Sequence, residues 1–91
     1  MRKKLILYTQ PGCKSCLEFK RILNETTLPY KEMNVFDYQP MWESIRKGEE
    51  GVMYTPTVGV EDPREQTITY LAAGRDFDGE EEGIEKLKNL L

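Results

Sequence analysis

A chain of 91 residues, 38% hydrophobic and 10% aromatic, has material for a single domain over residues 1–91 with one modest core. Its charged fraction is 32%, mixed in sign, and its formal net charge of −3 lacks the basic excess of a general nucleic-acid binder. Two cysteines without a histidine are too few for a secreted disulfide framework, and no stretch nears the roughly 20 apolar residues of a membrane span.

The order Arg2-Lys3-Lys4 then Leu5-Ile6-Leu7 superficially matches a secretory leader. The apolar run is too short for one, and no small-residue cleavage site follows. The expectation is a soluble, cytoplasmic monomer with no nucleic-acid or membrane partner. Lys4 to Thr9 is rich in strand formers and apolar on both faces, as a buried parallel strand is. Gln10-Pro11-Gly12 breaks it. From Cys13 to Asn24 the period turns helical: Phe19, Ile22 and Leu23 share a face with Leu17 and Cys16 close by, and Glu18, Lys20 and Arg21 take the outside. Thr26-Thr27-Leu28-Pro29 ends that helix. Tyr30 to Val35 is a second strand, with Met33 and Val35 on one side and Glu32 and Asn34 on the other.

Asp37 to Lys47 is a second helix, with Asp37 as its expected cap, Pro40 near its first turn and Met41, Trp42 and Ile45 as its apolar stripe. Thr57 to Val60 is a third strand, Glu61 to Glu65 a polar turn and Gln66 to Leu71 a fourth strand in a hairpin with the third. Ala72 to Asp78 reads as a loop, and Gly79 to Leu91 as a last helix with Ile84, Leu87, Leu90 and Leu91 on one face. The order is β-α-β-α-β-β-α. A right-handed crossover makes the first two strands parallel and the hairpin makes the last two antiparallel, giving an α/β domain with a four-stranded mixed sheet and three helices on its two faces.

The chemistry lies in Cys13-Lys14-Ser15-Cys16, placed where the first strand feeds the first helix. That edge is where open α/β sheets carry their sites. So short a loop gains little stability from a disulfide, so the pair serves another purpose. A cysteine in the first helical turn faces unsatisfied N–H groups and the positive end of the helix dipole, and both favour a thiolate. A thiol of pKa near 8.5 is about 3% ionised at pH 7, and one near 7 is about half ionised. Cys13 is therefore assigned as nucleophile, with Lys14 adding positive charge, and Cys16, one turn on, resolves the mixed disulfide. Half of a zinc site would leave the same pair, but zinc needs four ligands and a second subunit or carboxylates to complete them. An iron–sulfur cluster shared between two chains is a further alternative, so the expectation is no metal.

A second signal is Tyr54-Thr55-Pro56-Thr57-Val58. Proline enters a strand at its first residue, and X-Pro is the bond that tolerates cis. A cis Thr55–Pro56 bond would turn the Thr55 N–H and C=O outward, where an extended substrate could pair with them. A trans proline closing a loop fits the sequence equally well.

These residues, from Tyr8-Thr9-Gln10-Pro11-Gly12 through the cysteine pair, the Thr-Pro before the third strand and Ala73-Gly74-Arg75-Asp76 before the last helix, resemble the glutaredoxin family over nearly the whole chain. The resemblance implies a thioredoxin-like fold, a cis Pro56 and a nucleophilic Cys13. It also implies glutathione as reductant, bound across a cleft bordered by Tyr8, with Thr55 pairing its cysteinyl backbone and Gly74, Arg75 and Asp76 holding its γ-glutamyl end. Departures are present: Gln10 replaces a common lysine that meets the glycyl carboxylate, leaving Lys14 or Arg46 to supply that charge. Lys14-Ser15 replaces Pro-Tyr, Ala73 replaces a glycine, and the hairpin is longer. The chain is also similar to the glutaredoxin-like hydrogen donors of ribonucleotide reductase, which imply a protein partner and electrons from thioredoxin reductase.

The remaining features read as structure. Trp42 is expected in the core, and Met33, Met41 and Met53 as filler or loop contacts. The acidic run Asp76, Asp78, Glu80, Glu81, Glu82 and Glu85 reads as a solvated helix face, with docking to a basic partner as the sharper alternative.

Overall fold

A computed structural model describes residues 3–91. Arg2, part of the leader-like start, lies outside them. Strand β1 (Lys4–Thr9) is followed by helix α1 (Lys14–Glu25), strand β2 (Lys31–Asn34), helix α2 (Gln39–Gly48), strands β3 (Thr57–Asp62) and β4 (Thr67–Ala72), and helix α3 (Glu80–Leu90). The sheet order is β2-β1-β3-β4, with β1 parallel to β2 and antiparallel to β3, and β3 antiparallel to β4. This is the expected α/β order, and it leaves β1 and β3 central.

Alternation along the central strands divides the core between the two faces. Leu5 and Leu7 of β1 with Val58 and Val60 of β3 meet Phe19 and Leu23 of α1 and Ile84 and Leu87 of α3. On the other face Ile6 and Tyr8 meet Trp42, Met33, Met41 and Ile45 under α2 alone. Trp42 is buried, as its stripe position requires.

Several boundaries differ from the reading of the sequence. Leu17 is 64% exposed, because the buried face of α1 runs through Cys16, Phe19 and Leu23 and turns Leu17 away from it. Asp37 does not cap α2. The Trp42 N–H bonds the Tyr38 carbonyl at 3.0 Å, so Tyr38 is the cap residue and no side chain caps the helix. The hairpin turns later than expected: Glu61 and Asp62 still pair with Ile68 and Thr67, and the turn is tied by Asp62 Oδ1 accepting from the Arg64 and Glu65 N–H groups. Polar residues at a strand end were indistinguishable from turn residues by composition. The segment after β4 is more than a loop, since Ala73 bridges Phe77 and the Phe77 side chain enters the main core.

Candidate active site

β1 delivers the chain to Thr9, and Gly12, at φ +77°, makes the corner that only a residue without Cβ adopts readily. Cys13 then becomes the N-cap of α1. Its extended backbone lets Sγ accept the Cys16 N–H at 3.1 Å, the position an oxygen occupies at most helix starts. The two cysteines are joined as a disulfide with Cα atoms 5.2 Å apart. Cys13 is partly exposed while Cys16 is 3% exposed, so a partner sulfur has access to the first cysteine and not to the second.

The Thr55–Pro56 bond is cis. The Thr55 hydroxyl donates to Cys13 Sγ at 3.6 Å, and the Thr55 carbonyl lies 3.8 Å from the same sulfur. Two protein donors, the Cys16 amide and the Thr55 hydroxyl, thus converge on one sulfur at a helix N-terminus. The first turn of α1 holds no acidic residue, whereas that of α3 holds Glu80, Glu81 and Glu82. Negative charge on Cys13 therefore meets donors and the exposed Lys14 next to it, and no carboxylate of its own helix turn.

A cleft of about 320 Å³ opens beside the pair, lined by Gln10, Pro11, Cys13, Cys16, Lys20 and Glu32 among others. At its wall the buried Thr9 donates its hydroxyl to Glu32 at 2.8 Å, and Lys20 Nζ reaches the same carboxylate at 3.1 Å. Burial pushes the Glu32 carboxyl up, but the Thr9 and Lys20 contacts outweigh it and hold the group below its ordinary range. These three residues were not singled out in the sequence; a threonine buried at the strand end just before the cysteines was the available signal.

Gln10, Cys13, Cys16, Thr55 and Pro56 are thus placed close together, and Lys14 is beside Cys13. Tyr8 sits 4% exposed on the α2 face, its ring centroid 5.8 Å from that of Trp42. Burial, with the Tyr70 and Glu61 charges, pushes its phenol up to about 12. Gly74, Arg75 and Asp76 form the turn after β4, next to Ala73, whose N–H meets the Pro56 carbonyl. Asp76 Oδ2 accepts from the Ala72 N–H at 2.8 Å and from Arg75 Nε at 2.9 Å. Arg46 pairs with Glu43 on α2.

No family model matches the chain, and no curated protein matches it. Solved structures do. The crystal structure of the thioredoxin-like protein BC3987 superposes with a TM-score of 0.61 at 26% identity, over 97% of this chain and 100% of that one. The crystal structure of a single-residue mutant of the same protein gives 0.60 at 24% identity, over 96% and 97%. The fold is thioredoxin-like, and with its Cys-x-x-Cys pair at the edge of the sheet it points to thiol–disulfide redox chemistry.

Proposed function

We propose, from a thioredoxin-like fold with a reactive-side cysteine pair, that this protein is a dithiol oxidoreductase that reduces disulfides in extended peptide segments, glutathione mixed disulfides among them. The observation that carries the reading is the convergence of the Cys16 amide and the Thr55 hydroxyl on Cys13 Sγ. Both donors favour the thiolate over the thiol, and the thiolate is the nucleophile.

The Cys13 thiolate attacks one substrate sulfur, the other leaves as a thiolate and takes a proton, and a mixed disulfide joins Cys13 to the substrate. Cys16 then loses its proton and attacks Cys13 Sγ, releasing the second substrate thiolate. Two electrons have passed from the Cys13–Cys16 dithiol to the substrate, and the internal disulfide remains. An external thiol or dithiol reductant restores the dithiol. While the mixed disulfide lasts, the Thr55 N–H and C=O give the substrate backbone a strand to pair with. Such a cycle belongs in a reducing compartment such as the cytoplasm.

Glutathione is the proposed reductant, with Gln10 and Lys14 offering an amide and a cation beside the sulfur for its carboxylates. A second reading is a dedicated donor to one protein, such as ribonucleotide reductase, recharged by thioredoxin reductase. The engagement of Arg75 and Asp76 within the protein favours it, since a small anionic tripeptide would compete with bonds these side chains already make.

The test is NADPH consumption on a glutathione mixed disulfide, run once with glutathione and glutathione reductase and once with thioredoxin reductase. Turnover in the first arm supports the glutathione reading, and turnover only in the second supports the protein-donor reading. Cys13→Ser should lose activity in both arms. Cys16→Ser should accumulate a mixed disulfide with the substrate, visible by mass spectrometry. Full activity in Cys13→Ser would remove the dithiol mechanism.

A further inference from the structure

The turn after β4 grips a segment far from it in sequence. Arg75 Nη1 donates to the Glu49 carboxylate at 3.2 Å and to the Glu50 carbonyl at 3.0 Å, Nη2 donates to the Tyr70 carbonyl at 2.8 Å, and Nε donates to Asp76. Its methylene stem lies over Gly51, at φ +88°, where an added Cβ would fall 2.8 Å from Arg75 Cδ. A Cβ at Gly74 would fall 3.3 Å from the Tyr54 ring. Ala73 N–H donates to the Pro56 carbonyl at 3.1 Å. Residues 73–75 thus hold the 49–56 segment at both ends, and Thr55 lies within it.

We infer that Arg75 is a positioning residue, which sets the Thr55 backbone for pairing with an extended substrate by holding Glu49, Glu50 and Gly51, without touching the substrate itself. The inference rests on the function proposed above. An isolated surface ion pair contributes little to stability. A planar guanidinium with bonds to three separate parts of the chain contributes direction instead, because each donor fixes where its acceptor stands. A lysine offers one point charge and cannot reproduce that geometry. Glu49 supplies the carboxylate that Arg75 meets, so the charge is satisfied within the chain before any ligand arrives.

The experiment mixes the fully reduced protein with two disulfides and follows oxidation of the dithiol. One is an extended peptide with acetylated and amidated ends bearing a mixed disulfide, and the other is 2-hydroxyethyl disulfide, which has no peptide backbone. In Arg75→Ala and in Gly51→Ala, the rate constant for the peptide should fall about five- to tenfold more than that for the small disulfide, the size of losing about one hydrogen bond in the encounter. Arg75→Lys should lie between wild type and Arg75→Ala. Equal losses on both substrates, or none, overturn the inference. So does a loss seen with a glutathione mixed disulfide, run as a third substrate, but not with the blocked peptide, which would put Arg75 on the ligand. Should Arg75→Ala not fold, Glu49→Gln and Gly51→Ala give the same comparison. A wild-type protein that oxidises with neither disulfide removes the dithiol function, and the inference falls with it.

Discussion

Tyr8 shows how the period of a strand sets the surroundings of one residue. It precedes the cysteine motif by a few residues, and the family resemblance set it at the edge of a ligand cleft. The period of the strand fixes its packing: Leu5 and Leu7 face α1 and α3, so Tyr8 faces α2 and packs on Trp42. Its buried phenol, pushed up to about 12, keeps its proton long after an exposed tyrosine near 10 has lost one. The folded state therefore holds one more proton than the unfolded chain between these values. Stability from this group is complete below about pH 10 and is lost as pH rises towards 12. Alkaline titration followed by tyrosinate absorbance should show two late phenols, Tyr8 and the partly buried Tyr70, which burial also pushes up, and Tyr8→Phe should remove the later phase. A titration in which every tyrosine ionises together near 10 would contradict this burial. The cysteines, by contrast, were fully legible, because a helix start fixes the surroundings of its cap from local sequence alone.

At the scale of elements, helix α3 carries the sharpest packing constraint. Gly83 lies in its interior, where glycine costs about 1 kcal/mol relative to alanine. Propensity alone therefore predicts that Gly83→Ala stabilises the protein. Packing predicts the reverse: the new Cβ would stand 2.8 Å from a Phe19 ring atom and 2.9 Å from a Phe77 ring atom. Both rings are buried in the main core and pack on each other at 5.6 Å between centroids, so neither can move aside freely. Overpacking of this kind costs about 1–3 kcal/mol, and Gly83→Ala should come out destabilised by about 1 kcal/mol in urea unfolding. A gain in stability would show that the rings yield. The glycine was silent in the sequence because its neighbour Phe77, in a stretch read as a loop, gave no sign of entering the core. Strands and helices were legible wherever a period ran unbroken. The misplaced features, the α2 cap and the hairpin turn, lie where polar residues serve equally as strand ends, caps or turns.

The whole molecule is unequally sealed. One face of the sheet is covered by α1 and α3, which bury Phe19, Leu23, Ile84 and Leu87. The other is covered by α2, of whose residues only Trp42 is buried, and which begins without a side-chain cap. Local opening follows the least buried element. Native-state hydrogen exchange should therefore release the amides of Trp42 and Ile45 through an opening of lower free energy than that for Phe19 and Leu23. Equal protection on both faces would mean that α2 unfolds only with the whole domain. The grip of Arg75 on Glu49 is a property of this scale too, joining residues 26 apart in the chain. No local pattern encodes such a contact. The resemblance assigned Arg75 to a ligand, and only the three-dimensional path reveals its bonds to Glu49, Glu50 and Tyr70.

The sulfur at the head of α1 has one more consequence. Helices are ordinarily capped by oxygen atoms whose chemistry never changes, but this one is capped by the atom proposed to react. Each change in the electron content of Cys13 alters the acceptor seen by the Cys16 amide, from anion to neutral sulfur and back. The amide proton of Cys16 is thus a built-in gauge of charge state, readable by its resonance frequency without any label. The backbone keeps a running record of whether the protein is loaded or spent.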